Sequence, residues 1–240
     1  MKTALLMVGQ PRTMEFCFPS QKKHILDVYR PDVFVVSDEQ EERLNELYQP
    51  VSMLIGSNES IFENATQMRG GQITVPPINL SIAWKTYIVT ILKQLHELKN
   101  GFTYDLVLLS RFDVKFNNFP VITEVKKDTF YTPTRGAYWI TPPDEPGIHW
   151  HGYSAHLCYG SSKVMDTVGK MYFDENQDHY LEACKSNTEY GFVPEYVLKH
   201  YMDSRYNHEL FDVDMMLIRG TSDKPLSFHN MSLSDYKEYQ

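Results

Sequence analysis

The stretch YDLVLLSRFDVKF, residues 104–116, carries an apolar run into Arg111 and Asp113, which stand one residue apart, and then turns apolar again. A carboxylate at such a strand end can hold a hard divalent cation, and a cation with one or two protein ligands completes its shell with substrate phosphates and water. An arginine beside it can orient the carboxylate or take a phosphate oxygen, because its planar fork matches both. The pair therefore fits a diphosphate site. It fits equally an Arg–Asp pair that closes a strand at the surface. Two features favour the first reading: Gly9-Gln10-Pro11-Arg12 forms a second polar loop after an apolar stretch, and the run before Asp113 is too apolar for a peripheral ribbon.

A second cluster lies in PPDEPGIHWHGYSAH, residues 142–156, with three histidines, Asp144, Glu145 and Trp150 in a segment too rich in Pro and Gly for a helix. One reading is an acceptor-sugar platform, with a sugar ring stacked on Trp150 while Asp144, Glu145 and His151 take its hydroxyls. Another is zinc chelated by His149 and His151, which lacks further partners at ligand spacing. Plain loop structure remains the third.

The elements that must position these residues follow from periodicity. Residues 2–8 read as a buried strand, 15–29 as a helix, 33–37 as a second strand of unbroken apolar character, 39–48 as a helix and 51–55 as a third strand. Periodicity disappears over 56–77, which carries Gly70-Gly71 and Pro76-Pro77 and suits a surface segment. Residues 82–98 read as a helix with Trp84, Tyr87, Ile88, Ile91, Leu95 and Leu98 on its apolar face. Trp84 on that face fits core packing, or with Lys85 the border of a nucleotide site. Beyond Asp113 the readable elements are strands at 129–132 and 156–159, a helix at 161–172 capped by Ser161, a helix at 194–202 and a strand at 214–218.

Alternating strands and helices predict an α/β chain: one domain built on a mostly parallel, doubly wound central sheet flanked by helices, with an irregular α+β half after about Asp113. Ligands of such sheets sit outside the carboxyl ends of the strands, where both Gly9-Gln10-Pro11-Arg12 and Arg111-Phe112-Asp113 fall.

Composition narrows the function classes. The 240 residues hold 42% hydrophobic and 13% aromatic side chains, as an ordered domain does. Acidic residues outnumber basic ones 31 to 23, a net charge of -8 without a basic run, so no nucleic-acid partner is expected. Ala4 to Val8 is too short an apolar run for a signal segment or a membrane span, so the expected location is cytoplasmic. Cys17, Cys158 and Cys184 are odd in number, widely spaced and expected to be reduced thiols. Sequons beginning at Asn58, Asn64, Asn79 and Asn230 carry no weight without a secretory signal.

The segments ALLMVGQPRT, CFPSQKKHILDVYRPDVFVVS, YDLVLLSRFDVKF and YGSSKVMDTVGKMY together resemble a family of glycosyltransferases from bacterial surface-polysaccharide loci and large DNA viruses. The resemblance spans residues 2 to about 202 and implies a GT-A-like single domain, with residues 1–116 as the nucleotide-binding half and 117–240 as the acceptor-binding half. It implies a nucleotide-sugar donor, with UDP-sugar favoured, a glycan or glycoprotein acceptor, and Mn2+ or Mg2+. The S-R-x-D stretch stands where many GT-A enzymes carry Asp-x-Asp, so Asp113 is the implied metal ligand and Arg111 replaces the first aspartate. Gly9, Gln10, Arg12, Lys85, Arg111 and Asp113 then bind the nucleotide sugar, with Arg12, Lys85 and Arg111 able to neutralise the leaving diphosphate. Glu195 stands where the family places a catalytic base at a helix start, or simply decorates that helix start, where negative charge is favourable. His229 matches a late metal-ligating histidine or is a surface residue. The host implied is a bacterium or a virus-infected cell. Two other functions remain at this stage: a nucleotidyltransferase making sugar nucleotides, which calls for a longer Gly-rich basic loop than Gly9 to Arg12, and a non-catalytic carbohydrate-binding module.

Overall fold

A computed structural model describes residues 1–38, 42–56, 77–133, 154, 156–171, 194–221 and 224–227. Strand β1 (Thr3–Gly9) leads into helix α1 (Met14–Gln21), which continues through a π-turn at Lys22–Leu26 and a last α-turn at Asp27–Tyr29. Pro19 inside α1 removes one backbone donor, and the widened turn follows it. Then come β2 (Asp32–Ser37), α2 (Glu42–Tyr48), β3 (Ser52–Ile55) and the long helix α3 (Pro77–Asn100). Strands β4 (Leu106–Arg111), β5 (Val114–Asn118), β6 (Thr129–Pro133) and β7 (Leu157–Gly160) follow. Helices α4 (Ser162–Lys170) and α5 (Pro194–Asp203) precede β8 (Asn207–Phe211), β9 (Asp214–Thr221) and β10 (Lys224–Ser227).

Seven strands make one sheet in the order β3-β2-β1-β4-β7-β6-β8, and β10-β9-β5 make a smaller one. The pairs β3/β2, β2/β1, β1/β4 and β6/β8 are parallel, whereas β7 runs antiparallel between β4 and β6. The expected α/β class with a mostly parallel central sheet is the one observed. Alternating side chains bury both of its faces, which is why these strands read as continuous apolar runs. Ala4, Leu6, Val8, Phe34, Val36 and Val107 pack under α3, α4 and α5. Leu5, Met7, Val33, Val35 and Leu108 pack against Met14 and Ile25 of the first helical segment and Leu44 and Tyr48 of α2.

One expectation fails at α3. The face named from periodicity is not the buried one: Leu95 is 56% and Leu98 81% exposed, whereas Lys85, Thr86, Val89, Thr90, Lys93 and Glu97 are buried. The inward polar groups find partners, which offsets part of the cost of burying their charge. Fully buried Lys93 reaches Glu97 at 2.7 Å, Asp166 of α4 at 2.8 Å and the Ser162 hydroxyl. Ser161 occupies the cap position of α4, but its hydroxyl donates to the Lys127 carbonyl and caps no helix N–H. The apolar face expected for that helix, Val164, Met165, Val168 and Met171, is buried as read.

Candidate functional site

Strand β1 is the pivot of the sheet. Its successors β2 and β3 lie on one side and β4 on the other, so the chain order reverses between β1 and β4. Crevices outside the carboxyl ends of strands at such a switch point are where open α/β sheets bind ligands. Val8 pairs with Arg111 across the switch, and Gly9 pairs with Ser37 at the end of β2. Both polar loops singled out in the sequence thus come to one edge.

Gly9 has φ +115, a conformation that side-chain-bearing residues rarely adopt, and a Cβ placed there meets nothing within 4 Å among the described residues. Glycine is required by the backbone, and among the described residues the space before it is open. Gln10 is half-buried, Pro11 is buried with its carbonyl accepting from the Met14 N–H at 3.0 Å, and the Arg12 side chain is exposed.

Arg111 and Asp113 turn toward each other. Arg111 Nε donates to Asp113 Oδ1 at 2.9 Å and Nη2 to Oδ2 at 2.8 Å, with the side chains 14% and 10% exposed. Arg111 Nη1 lies 3.5 Å from Nδ1 of His156, a buried residue just before β7. His156 arrives there because β7 runs antiparallel to β4, with Leu157 opposite Ser110. Fully buried Ser154 shapes its approach, its hydroxyl accepting from the His156 and Leu157 N–H groups at 3.2 and 3.3 Å.

Lys85, from α3, is buried at the same edge and ion-paired with Asp38, which follows β2. Burial lowers the Lys85 pKa, its Asp38 partner opposes that, and the positive Arg111 adds to the lowering. A second cation thus stands within electrostatic reach of Arg111, already balanced by its own carboxylate. Asp38 is a member that sequence reasoning did not name, and His156 entered it only as the last of three histidines in residues 142–156. Asp38 had a usable signal, as the first acidic residue after the β2 run. Nothing local placed His156 at this edge, because its position depends on antiparallel pairing between distant segments.

The remaining candidates divide by position. Glu195 belongs to the first turn of α5, and its side chain lies outside the described residues. Asp144, Glu145, Trp150, His149, His151 and His229 also lie outside them. Trp84 is half-buried, its ring centroid 6.2 Å from that of Tyr87. A cavity of about 540 Å³ lies at the opposite, amino edge of the sheet, between Tyr104, Glu124 and Ser161, and contains none of these groups.

The carboxylates of the edge bear directly on a divalent cation. Asp113 gives both oxygens to Arg111, Asp38 holds Lys85, and no group of three His, Cys, Asp or Glu side chains among the described residues could hold a metal. As arranged, these side chains do not form a cation site by themselves. What they present to a ligand is a forked guanidinium fixed in place by a carboxylate, beside a balanced lysine and an open glycine turn.

No family model matches the sequence and no curated protein matches it. Among solved structures, the fold is similar to the apo-form glycosyltransferase GlyE of Streptococcus pneumoniae TIGR4, with 11% identity and a TM-score of 0.46 over 87% of this chain. The chain spans 45% of that protein's length. A likeness at this level does not bear on what either chain binds. No helix among the described residues is long and apolar enough to cross a membrane.

Proposed function

We propose that the chain is a glycosyltransferase that moves a sugar from a nucleoside-diphosphate donor, UDP-sugar favoured, to a hydroxyl of a glycan or glycoprotein. The observation that carries this reading is the forked Arg111–Asp113 pair at the β1/β4 switch point, opposite the open turn at Gly9. The family resemblance of the same segments points the same way. The donor fits the edge with its diphosphate at Arg111 and its nucleoside along Gly9, Gln10 and the Asp38–Lys85 pair.

In the transfer, the bond between the anomeric carbon and the diphosphate oxygen breaks with its electron pair leaving on the diphosphate. A bond forms from that carbon to the acceptor oxygen, whose proton passes to a base. The transition state gathers negative charge on the leaving diphosphate, and a guanidinium already aimed at that position stabilises it without reorganisation. Arg111 takes that role, held by Asp113, while exposed Arg12 can close over the phosphates from the β1 loop. Glu195, at the start of α5, is the carboxylate proposed to receive the acceptor proton, and residues 142–156 are the proposed acceptor platform, with Asp144, Glu145, Trp150 and His151. Mn2+ or Mg2+ remains part of the proposal as a cation recruited together with the donor phosphates, which would supply most of its ligands.

Incubation with UDP-, GDP- and dTDP-sugars, followed by detection of released nucleoside diphosphate with and without a hydroxyl acceptor, tests the assignment. Release from one donor that Arg111→Ala abolishes supports it. Tight binding of a glycan with no release from any donor would instead assign the protein as a carbohydrate-binding module.

A further inference from the structure

Between β4 and β5 the chain leaves the large sheet, where Arg111 pairs with Val8, for the small one, where Val114 pairs with Leu217, and Phe112 and Asp113 belong to neither strand, so the backbone carbonyls of residues 111–114 draw on donors from several elements. They are all met. The Asp113 carbonyl accepts from the Ile218 N–H of β9 at 2.8 Å, and Ile218 is tied in turn by the Thr13 hydroxyl, which donates to its carbonyl at 2.8 Å. The other three converge on one side chain. Gln21 Nε2 donates to the carbonyls of Val114 at 2.7 Å and Arg111 at 3.1 Å, with Phe112 at 3.4 Å. Gln21 is 1% exposed, and its Oε1 accepts from the equally buried Tyr48 hydroxyl at 2.5 Å, which fixes which end of the amide faces the turn. The Tyr48 ring packs edge-on against fully buried Phe112 at 5.6 Å between centroids, inside the same turn.

We infer that Gln21, oriented by Tyr48, is the positioning residue for the Arg111–Asp113 pair. An amide has what the site requires: two N–H donors for the turn and one acceptor to lock its own orientation. An apolar side chain would remove this donor from all three carbonyls, and an ionised carboxylate would repel them. The turn they belong to sets where the forked pair points, so loosening it moves the guanidinium and the carboxylate together. Gln21 lies outside the crevice and is expected to touch no ligand. The inference deepens the proposed function and rests on it only for its consequence in catalysis, since the positioning itself is a property of the ligand-free protein.

The test reads Arg111 directly, by the NMR signal of its Nε–H, assigned by its loss in Arg111→Lys. In the natural protein this proton is expected to exchange slowly because Asp113 accepts it at 2.9 Å. Tyr48→Phe removes only the hydroxyl that orients Gln21, keeps the fold, and is expected to speed exchange roughly 3- to 10-fold. Gln21→Glu buries an acid whose pKa is raised, so the neutral form donates to the turn at low pH and the charged form repels it as pH rises. Measured as protection relative to a free arginine side chain at the same pH, the Arg111 proton of that variant is expected to be protected near pH 5 and unprotected toward pH 8, with no such change in relative protection in the natural protein. A signal equally protected in Tyr48→Phe and at both pH values in Gln21→Glu would overturn the inference, whatever happens to thermal stability. Titration with UDP and the nucleotide sugars separates the two levels. If Arg111 protection responds as stated but the natural protein binds neither UDP nor any UDP-, GDP- or dTDP-sugar, the glycosyltransferase reading fails and the positioning role stands. If UDP binds and Arg111 protection never changes, the positioning role fails alone.

Discussion

Arg111 and Asp113, two positions apart in the sequence, face each other through two parallel hydrogen bonds at the carboxyl edge of the sheet. A bidentate pair of this kind is fixed in direction as well as in charge. It keeps the outward edge of the guanidinium in one place for an arriving anion. It also means that a cation reaching Asp113 shares an oxygen with Arg111 and meets the guanidinium charge there.

Arg111→Ala is expected to weaken the protein as well as its site, because it leaves a mostly buried carboxylate without its forked partner. Loss of one member of a buried ion pair costs about 3–5 kcal/mol. Asp113 keeps its backbone tie to Ile218 and is slightly exposed, so the lower end applies. Differential scanning calorimetry should show a fall in Tm of roughly 6–12 °C.

Gly9→Ala places a side chain at φ +115, where strain is expected to cost about 1–3 kcal/mol although the space is open. The expected result is a fall in Tm of roughly 2–12 °C together with weaker nucleotide binding. A Tm unchanged within about 1 °C would mean that the β1 turn relaxes freely.

The buried cluster on α3 makes a pH-dependent prediction. Burial raises the Asp166 carboxyl above its ordinary value, and Lys93 opposes that rise. An acid raised in the folded state holds its proton more tightly there, so its ionisation subtracts stability as pH increases. Lys93→Met removes the opposing cation, raises the folded-state carboxyl further and so extends and enlarges that loss toward higher pH. Chemical denaturation should find the variant closest to the natural protein near pH 5 and progressively weaker toward pH 8, with a deficit there of about 3–5 kcal/mol.

Much of the fold is readable from the residues because the sheet is buried on both faces. Residues 4–8 in β1, 33–36 in β2 and 106–109 in β4 are apolar at every position, the pattern that strands of a parallel sheet covered by helices show. The turns at Gly9 and at Arg111–Asp113 were readable for the related reason that polar residues end those runs abruptly. The partners were not. Asp38, His156 and Gln21 reach the edge through a parallel neighbour, an antiparallel neighbour and a helix, at sequence separations that local pattern does not encode. The α3 face was misread because periodicity weighs side chains by hydropathy, and here Lys85 and Lys93 are buried through ion pairs while Leu95 and Leu98 face water.

Cys17 and Cys158 are both free and fully buried, and burial pushes the Cys17 thiol up to about 12. Only about one Cys17 in ten thousand is then a thiolate at pH 8, and thiolate is the reactive form. Burial raises the Cys158 thiol in the same direction. Iodoacetamide at pH 8 should leave both unmodified by peptide mass spectrometry in the folded protein, and modify both once guanidinium is added.

The central claim is that the crevice between β1 and β4 takes a nucleoside diphosphate sugar at Arg111 and Asp113. Calorimetric titration of the natural protein with UDP-, GDP- and dTDP-sugars, with and without Mn2+, alongside Asp113→Ala, tests it most directly. The expected result is saturable binding of one donor that weakens at least about tenfold, or 1.4 kcal/mol, in the variant. Any strengthening by Mn2+ should be lost with the Asp113 carboxylate. No binding of any donor by the folded natural protein, or equal binding by Asp113→Ala, would contradict it and leave the forked pair as a strand-closing salt bridge.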